Sequence, residues 1–319
     1  MTEDRPTAAM VLAAGRGERM KPLTRVLPKP ALPILDRPLV AWAVDQAVNA
    51  GVAQVAVNTW HLAERMEDEL ERLRTPIRMA VSREHELMDT AGGLALARER
   101  GILGTHGPVL VVNGDCLYGL MLDQLLESHA RRGDEVTLAL LPHLNPARWA
   151  RVNLDADGRV RAIHPPGSPR EGEVPLLYPG VMVVSREVLA SLPVEPGGIP
   201  EKLWQPAMER GRLGGVVVTG HWREVGTPAA YLEAVLKRLG ERGWVSPDAR
   251  VAPGATVGRS MIGAGAAVDD GAVVAESIVA EGATVGSGAR IIRSVVVGGV
   301  EVGPGETVTG AFLAGPCRE

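Results

Sequence analysis

The first 240 residues alternate short aliphatic runs with longer stretches in which apolar residues recur every three or four positions. Short aliphatic runs bounded by turn residues are typical of buried strands, and the longer spacing is typical of amphipathic helices. Strands are predicted at residues 8–13, 52–58, 77–81, 109–113 and 136–141. Helices are predicted between them at residues 38–50, 62–73, 94–100 and 120–132. This alternation predicts an α/β domain whose mixed, mostly parallel sheet is covered on both faces.

The pattern becomes less regular after residue 141 and changes completely near residue 243. Strands are predicted at 181–184 and 216–219, and a helix at 228–242. We therefore predict two domains, residues 1–243 and residues 244–319. Ligands of open parallel sheets bind beyond the carboxyl ends of strands, so the chemistry is expected just after residues 13, 81 and 112.

Residues 245–308 follow a six-residue period. Three steps of six, six and five residues make a 17-residue unit, marked by Ser260, Ser277 and Ser294. The β-branched positions are Val245, Val251, Val257, Ile262, Val268, Val274, Val279, Val285, Ile291, Val296, Val302 and Val308. One inward aliphatic residue per step, with glycine-rich turns between, predicts a three-sided parallel β-helix whose turns stack. The segment resembles the hexapeptide-repeat family, whose helix is left-handed.

Composition narrows the classes of function. The net charge is −4, from 34 Lys plus Arg against 38 Asp plus Glu. The chain therefore lacks the excess of basic residues that is typical of nucleic-acid-binding proteins. The two cysteines, Cys116 and Cys317, fall in different predicted domains, which argues against a disulfide framework and favours a reducing compartment. No apolar run approaches the roughly 20 residues of a membrane span, and the N-terminus has no signal core. We expect a cytoplasmic protein without membrane or nucleic-acid partners.

A glycine-rich segment with spaced cations follows the first predicted strand. It reads Leu12-Ala13-Ala14-Gly15-Arg16-Gly17-Glu18-Arg19-Met20-Lys21-Pro22-Leu23-Thr24 and continues with Pro28-Lys29-Pro30-Ala31-Leu32. Glycines at a strand end let backbone N–H groups approach phosphate oxygens, and Arg19 and Lys29 can neutralise a triphosphate. A Walker loop is excluded because Gly-Lys-Ser/Thr is absent. A dinucleotide fold is excluded because Met20 stands where the third glycine would pack.

The combined pattern resembles the signature loop of the sugar-1-phosphate nucleotidyltransferases, LAGGxGxRLxPLT followed by PKPxxP, with one glycine replaced by Ala14. The resemblance implies a Rossmann-like nucleotide-diphospho-sugar transferase domain. It further implies that Arg19 stabilises the departing pyrophosphate and that Lys29 contacts the α-phosphate and the sugar phosphate. Gly15 and Gly17 would wrap the β- and γ-phosphates. The nucleotide-binding residues implied here are Leu12, Ala13, Ala14, Gly15 and Gly17.

A carboxylate, Asp115, follows the strand predicted at 109–113 in the sequence Asn113-Gly114-Asp115. By itself this tripeptide is equally typical of a type I′ turn. Mg²⁺ prefers carboxylate and phosphate oxygens, and the resemblance implies that Asp115 is catalytic and binds Mg²⁺, with Asn113 and Gly114 beside the sugar.

The second metal ligand implied by the resemblance is Glu224. It stands where the family carries aspartate, in the segment Trp222-Arg223-Glu224-Val225-Gly226-Thr227. The alternative for Glu224 is an ion pair with a surface cation.

Glu84 precedes the segment Asp89-Thr90-Ala91-Gly92-Gly93, and the two together resemble the base-reading pattern ExxPLGTAGxL. The resemblance implies that Thr90, Ala91 and Gly92 approach the nucleoside and that Glu84 reads the base edge. A carboxylate accepts two hydrogen bonds, which suits the paired N–H donors of guanine and favours GTP. An exposed loop glutamate beside Arg83 is the alternative.

The sugar-binding segments depart most from the family pattern. Ile163-His164-Pro165 stands where the family carries Glu-Lys-Pro, and Trp149-Ala150 stands in place of Tyr-Gly. Only Tyr178-Pro179-Gly180-Val181 resembles the later sugar-lining segment, which implies that Gly180 contacts the sugar. These residues leave the identity of the sugar open.

The reaction implied by the resemblance joins an NTP to a sugar 1-phosphate and releases pyrophosphate, with Mg²⁺ as cofactor. The C-terminal repeat favours a mannose-1-phosphate guanylyltransferase. Two alternatives stay open: a uridylyl- or thymidylyltransferase for N-acetylmuramate or glucose 1-phosphate, and a catalytically weak regulatory subunit that binds an NDP-sugar. Acyl transfer by the repeat is disfavoured because no histidine follows His221. We expect a homo-oligomer that associates through residues 245–308.

Overall fold

The computed structural model describes residues 5–143, 145–167 and 174–316. The chain divides into two compact units. The sheet unit comprises Met1–Gly15, Trp42–Trp60 and Arg74–Trp222; the β-helix unit comprises Arg16–Ala41, His61–Leu73 and Arg223–Glu319. Most of the signature loop therefore groups with the C-terminal repeat, and the domain boundary predicted at residue 243 stays a prediction. Cys116 is buried, and Cys317 lies outside the described residues.

The strands before the repeat are short and mostly buried. In chain order they are β1 (Ala8–Leu12), β2 (Pro33–Ile34), β3 (Arg37–Pro38), β4 (Gln54–Thr59), β5 (Arg78–Arg83), β6 (Val109–Asn113), β7 (Cys116–Met121), β8 (Val136–Pro142), β9 (Arg151–Leu154), β10 (Val160–His164), β11 (Leu176–Leu177), β12 (Val181–Val184), β13 (Leu213–Val217) and β14 (Thr219–Glu224).

The helices are short, with bounds α1 (Val40–Asn49), α2 (Ala63–Arg72), α3 (Asp89–Glu99), α4 (Asp123–Arg132), α5 (Arg186–Ser191), α6 (Gln205–Glu209) and α7 (Pro228–Leu239). Helix α7 begins where Thr227 accepts the Ala230 N–H and proline fills the first helical position. Gly133 follows the last residue of helix α4 as its C-cap, where the left-handed backbone suits glycine. Within the described ranges, no helix has both the length and the apolar character needed to cross a bilayer.

The large sheet of the sheet unit has the order β11-β8-β12-β6-β1-β4-β5, and β13 also pairs with β8. Strands β6, β1, β4 and β5 run parallel, whereas β12 runs antiparallel to both β6 and β8. The predicted mixed, mostly parallel sheet is therefore confirmed. Its apolar side chains join those of α3 and α5 in one buried cluster, as expected when helices cover a sheet.

Several predicted element bounds were wrong. The strand predicted at 216–219 straddles the end of β13 and the start of β14, and the helix predicted at 228–242 ends at Leu239. The helix predicted at 120–132 begins only at Asp123, because residues 116–121 form β7 with burial that alternates from residue to residue. The helix predicted at 94–100 already begins at Asp89.

Short strands repeat through the C-terminal segment and form three parallel ladders. They are β15 (Trp244–Val245), β16 (Arg250–Val251), β17 (Thr256–Val257), β18 (Met261–Ile262), β19 (Ala267–Val268), β20 (Val273–Ala275), β21 (Ile278–Val279), β22 (Thr284–Val285), β23 (Arg290–Ile292), β24 (Val295–Val297), β25 (Glu301–Val302), β26 (Thr307–Thr309) and β27 (Phe312–Ala314). Ile262, Val279 and Val296 stack in register, which confirms the 17-residue repeat. The predicted inward aliphatic residues form a separate core, except for Val245, which is exposed on the first strand of the repeat.

The serines of the shortened step form a buried ladder. Ser277 N–H donates to Ser260 Oγ at 3.1 Å, and Ser294 N–H donates to Ser277 Oγ at 3.0 Å. The hydroxyls of Ser277 and Ser294 donate in turn to Ala275 O and Ile292 O, both at 2.7 Å. The short step thus keeps its buried backbone groups hydrogen-bonded although it lacks one residue.

Three corners of the β-helix carry charged residues with left-handed backbone: Glu276 (φ 47°), Glu281 (φ 56°) and Arg293 (φ 45°). Glycine adopts the same conformation at the positions 17 residues after Glu281 and Arg293. These are Gly298 (φ 71°) and Gly310 (φ 64°). A side chain in this region costs about 1 kcal/mol or more relative to glycine.

Each of these strained residues makes an ion pair. Glu281 contacts Arg65 of α2 at 2.6 Å, and Arg293 contacts Glu276 at 2.7 Å and Glu233 of α7 at 2.8 Å. Exposed ion pairs contribute about 0.2–1 kcal/mol, so glycine would be at least as stable at these corners.

Candidate functional site

In the sheet unit, the signature loop starts from the buried end of β1. Ala13 and Ala14 are buried, and Ala13 N–H donates to Asn58 Oδ1 at 2.7 Å. Gly15 is exposed, and a Cβ added there would have no heavy atom within 4 Å. The loop therefore leaves the sheet as an anchored backbone with open space at its first glycine.

Glu84 is buried rather than exposed, which excludes the alternative of a solvated loop glutamate. Its Oε1 accepts from Asn58 Nδ2 at 2.7 Å and its Oε2 accepts the Met88 N–H at 3.0 Å. Burial raises the pKa of Glu84, against the opposing effect of the Asn58 hydrogen bond. A side chain at Gly93 would come within 2.6 Å of Glu84 Oε1.

Asn58 joins Glu84 to Ala13, and sequence reasoning missed it. The one available signal was an amide at the end of a strand, where ligands of parallel sheets bind. Whether Glu84 also reads a base stays a prediction.

Thr90, Ala91 and Gly92 lie in the first turn of α3. The N–H groups of Ala91 and Gly92 donate to Gly197 O at 2.9 and 3.2 Å. Thr90 Oγ1 accepts the Ile199 N–H at 2.9 Å. The segment around Gly197 therefore covers the helix N-terminus, an arrangement that the sequence did not predict. A nucleoside contact at these three residues stays a prediction.

The residues predicted around the sugar converge beside Asp115 within the sheet unit, whereas Glu224 belongs to the β-helix unit. Asn113 N–H donates to Gly180 O and Gly114 N–H donates to Leu12 O, both at 2.8 Å. Asp115 lies in the turn between β6 and β7, and Cys116 Sγ contacts its Oδ1 at 3.4 Å.

Gly180 is packed tightly in this group. It has φ +89°, and a Cβ there would lie 2.6 Å from Asn113 Nδ2. Tyr118 Oη donates to Pro179 O at 3.1 Å and fixes the neighbouring segment.

Aromatic residues that sequence reasoning did not assign flank these segments. Trp149 and Trp222 stack edge to face with ring centroids 5.1 Å apart, and Tyr178 does the same with Trp204 at 4.9 Å. Tyr178 Oη and Trp222 Nε1 are buried and, within the described part of the chain, have no hydrogen-bond partner. His221 is exposed on β14.

In the β-helix unit, Gly17 holds the second turn of the signature loop. It has φ +62°, and Thr24 Oγ1 donates to its carbonyl at 3.0 Å. A Cβ at Gly17 would lie 2.7 Å from Thr24 Cγ2 and 3.5 Å from Lys29 Cβ. Lys29 is buried at the start of a short 3-10 turn.

Arg19 and Glu224, two predicted site residues 205 positions apart, form an ion pair. Arg19 Nη2 lies 3.1 Å from Glu224 Oε1, with side chains 69% and 14% exposed. The pair matches the alternative of an ion pair for Glu224, and metal binding by Glu224 stays a prediction. Lys21 is half exposed and pairs with Glu18 at 2.6 Å, which lowers the pKa of Glu18.

No group of three or more His, Cys, Asp or Glu side chains in the described ranges is placed to hold a metal ion. Mg²⁺ is commonly held by only one or two carboxylates, with substrate phosphates and waters as further ligands. The oxygen donors of Asp115 and Glu224 are of the kind that this ion prefers.

A profile of the family described as "Nucleotidyl transferase" matches residues 8–240. The chain belongs to the nucleotidyl transferase family. Residues 237–311 match the "GlmU-like, C-terminal hexapeptide" family, which agrees with the three parallel ladders and confirms the predicted left-handed β-helix.

Named relatives of this nucleotidyl transferase include two animal proteins called mannose-1-phosphate guanylyltransferase catalytic subunit beta. The protein of Drosophila pseudoobscura pseudoobscura is 29% identical over 80% of this chain and 69% of its own length. The protein of Danio rerio is 28% identical over 79% and 73%, respectively. Mannose-1-phosphate guanylyltransferase 1 of Arabidopsis thaliana is 27% identical over 70% and 62%.

Among solved structures, HddC from Yersinia pseudotuberculosis matches this nucleotidyl transferase with a TM-score of 0.61 and 19% identity. The match covers 73% of this chain and 99% of HddC. It supports the Rossmann-like fold of the transferase region.

Proposed function

We propose that the chain is a sugar-1-phosphate nucleotidyltransferase, which converts an NTP and a sugar 1-phosphate to an NDP-sugar and pyrophosphate. The observation that carries this proposal is the match of residues 8–240 to the nucleotidyl transferase family. The convergence of Leu12, Asn113, Gly114 and Gly180 beside Asp115 supports it.

Mannose 1-phosphate and GTP are the proposed substrates. The names of the animal and plant relatives support this choice. The hydrogen bonds that Asn58 and Met88 donate to Glu84 give it a bracing role, so the choice of GTP rests on the relatives rather than on Glu84. Uridylyl or thymidylyl transfer remains the alternative chemistry.

In the proposed reaction, a sugar phosphate oxygen attacks the α-phosphorus in line and pyrophosphate leaves. Such a transfer needs positioning and charge rather than a protein nucleophile. Lys29 would contact the α-phosphate, and Arg19 would bind the departing pyrophosphate. Asp115 and Glu224 are each proposed as a ligand of Mg²⁺, which would neutralise phosphate charge.

The ion pair between Arg19 and Glu224 fits these roles, because each group would exchange its partner for one of higher charge. The guanidinium would turn to the pyrophosphate, and the carboxylate would turn to the cation. Glu224 is the less exposed partner, so Arg19 has the greater freedom to move.

The buried Tyr178 Oη and Trp222 Nε1 are the proposed donors for polar groups of the sugar. Burying a polar group without a hydrogen bond is costly, and a bound ligand removes that cost. Trp149 would add an aromatic wall beside Trp222.

The test is pyrophosphate release with Mg²⁺, each of GTP, UTP, dTTP, CTP and ATP, and a panel of sugar 1-phosphates. Release with one pair would establish the activity and its substrates. If no pair of substrates released pyrophosphate but the protein still bound an NDP-sugar, the chain would instead be a regulatory subunit.

Two variants test the residue roles. Asp115→Asn and Lys29→Met should each lower turnover at least about 100-fold, because they remove charge that acts in the transition state. Asp68→Asn and Lys237→Met, at exposed helix positions, are the matched controls and should keep the wild-type rate. Near-normal turnover in Asp115→Asn or Lys29→Met would contradict the assignments.

A further inference from the structure

We propose that Glu281 of the β-helix is a positioning residue for the nucleotide loop, acting through Arg65 and Thr24 on Gly17. This inference rests on the proposed function and on the phosphate-binding role that the resemblance implies for Gly17. All four residues belong to the β-helix unit.

Glu281 shares its strained backbone with Glu276 and Arg293, but its ion-pair partner Arg65 lines a cavity with Val26, two residues after Thr24. The φ of 56° at Glu281 is strained for any side chain, whereas Gly298 occupies the equivalent corner one turn later without that strain. The ion pair with Arg65 is partly exposed, and such pairs return less free energy than the strain costs. Stability alone would therefore favour glycine at residue 281.

The ion pair connects this corner with helix α2 and with the signature segment. Arg65 Nη2 lies 2.6 Å from Glu281 Oε2. The two residues line a cavity of about 60 Å³ together with Val26, Gly298 and Pro316. Val26 packs against Gly298, which lies one coil of the β-helix after Glu281. A Cβ added at Gly298 would lie 2.9 Å from Val26 Cγ1.

Thr24 transmits this packing to the glycine loop. It is buried two residues before Val26, and its hydroxyl donates to Gly17 O at 3.0 Å. Its own carbonyl accepts from His61 Nε2 at 2.8 Å.

His61 lies two residues before the first residue of α2, and Arg65 lies one turn further along the chain. Glu281 therefore fixes the start of α2, and the start of α2 fixes Thr24 and Gly17.

Glu281→Gly tests the inference without threatening the fold, because glycine relieves the strain. We expect the KM for the NTP to rise about two- to tenfold, with the KM for the sugar 1-phosphate unchanged and Tm unchanged or higher. Glu276→Gly is the matched control, since Glu276 has the same backbone conformation but pairs with Arg293 and Arg259. Equal KM values for the NTP in the two variants would overturn the inference.

Charge reversal distinguishes an effect of the ion pair between Arg65 and Glu281 from an effect of changing the backbone at residue 281. Arg65→Glu and Glu281→Arg should each raise the KM for the NTP, and the double reversal should restore it to near the wild-type value. Arginine is tolerated at such a corner, as Arg293 demonstrates. A double variant no better than either single variant would overturn the inference.

Calorimetric binding of Mg²⁺–GTP to the full chain gives a readout independent of turnover. The Kd should rise in Glu281→Gly by the same factor as the KM. If the wild type is active and Glu281→Gly has the same Kd and KM for the nucleotide, only the positioning role would be overturned. A wild type that neither binds nor turns over any nucleotide would overturn the proposed function, and this inference with it.

Discussion

Asn58 hydrogen-bonds in two directions at the end of β4, accepting from the Ala13 backbone and donating to the buried Glu84. A buried carboxylate is costly unless it is hydrogen-bonded, and Glu84 meets this condition through Asn58 and Met88. At the scale of single residues, the start of the signature loop is thus anchored by a polar network rather than by apolar packing alone.

Gly180→Ala should weaken both folding and sugar binding. The positive φ disfavours any side chain, and the new methyl group would clash with the Asn113 side chain. We expect a loss of about 1–3 kcal/mol in the free energy of unfolding and a higher KM for the sugar 1-phosphate. Gly211→Ala is the control, because Gly211 has φ +66° but no atom within 4 Å of the added Cβ. Equal effects of the two substitutions in denaturant unfolding and kinetics would contradict the clash.

His129 should make the fold sensitive to acid. Burial lowers its pKa to about 4, and its Nδ1 lies 2.8 Å from Thr137 Oγ1. The unfolded chain, with a His pKa near 6.5, takes up a proton between about pH 6.5 and pH 4, whereas the folded imidazole stays neutral. Stability therefore falls as the pH drops through this window, by about 3 kcal/mol at pH 4.

Urea unfolding of His129→Gln at pH 7 and pH 4 checks this. The substitution should remove most of that difference, while His85→Gln, at an exposed position, should leave it in place. An unchanged pH dependence in His129→Gln would assign the acid sensitivity elsewhere.

At the scale of elements, the β-helix depends on the serine ladder as well as on its aliphatic core. Ser277→Ala would leave the buried Ser294 N–H without its acceptor, which costs about 1–3 kcal/mol. The measurement is thermal or urea unfolding against Ser287→Ala, an exposed corner serine that should change little. Equal stability of the two variants would mean that the ladder contributes no more than a surface hydroxyl.

At the scale of the whole molecule, the terminal coils of the β-helix carry the edge strands of each ladder. Edge strands pair readily with another chain, and Val245 on β15 is 44% exposed. Light scattering should therefore give at least twice the mass of one chain, and Val245→Lys should lower it. Val217→Lys, at a similarly exposed strand position of the sheet unit, should not. A monomeric mass for the wild type would rule out self-association.

The sequence predicted the elements whose signal is local. The strand from residue 109 to 113 and the 17-residue register of Ile262, Val279 and Val296 follow from spacing alone, because a period dictates which face each side chain occupies. The glycine loop and the Asn113-Gly114-Asp115 turn were likewise visible, since each lies in one continuous segment.

Only the tertiary structure decided the partners that are far apart in the chain. Glu84 is braced from 26 residues away, and Arg19 pairs with Glu224 across 205 residues. Gly197 covers the N-terminus of α3, and Glu281 reaches Arg65. Spacing along a sequence fixes which way a side chain points within its own element. Its burial and its partner depend on how the chain brings separate elements together, and no local pattern records that.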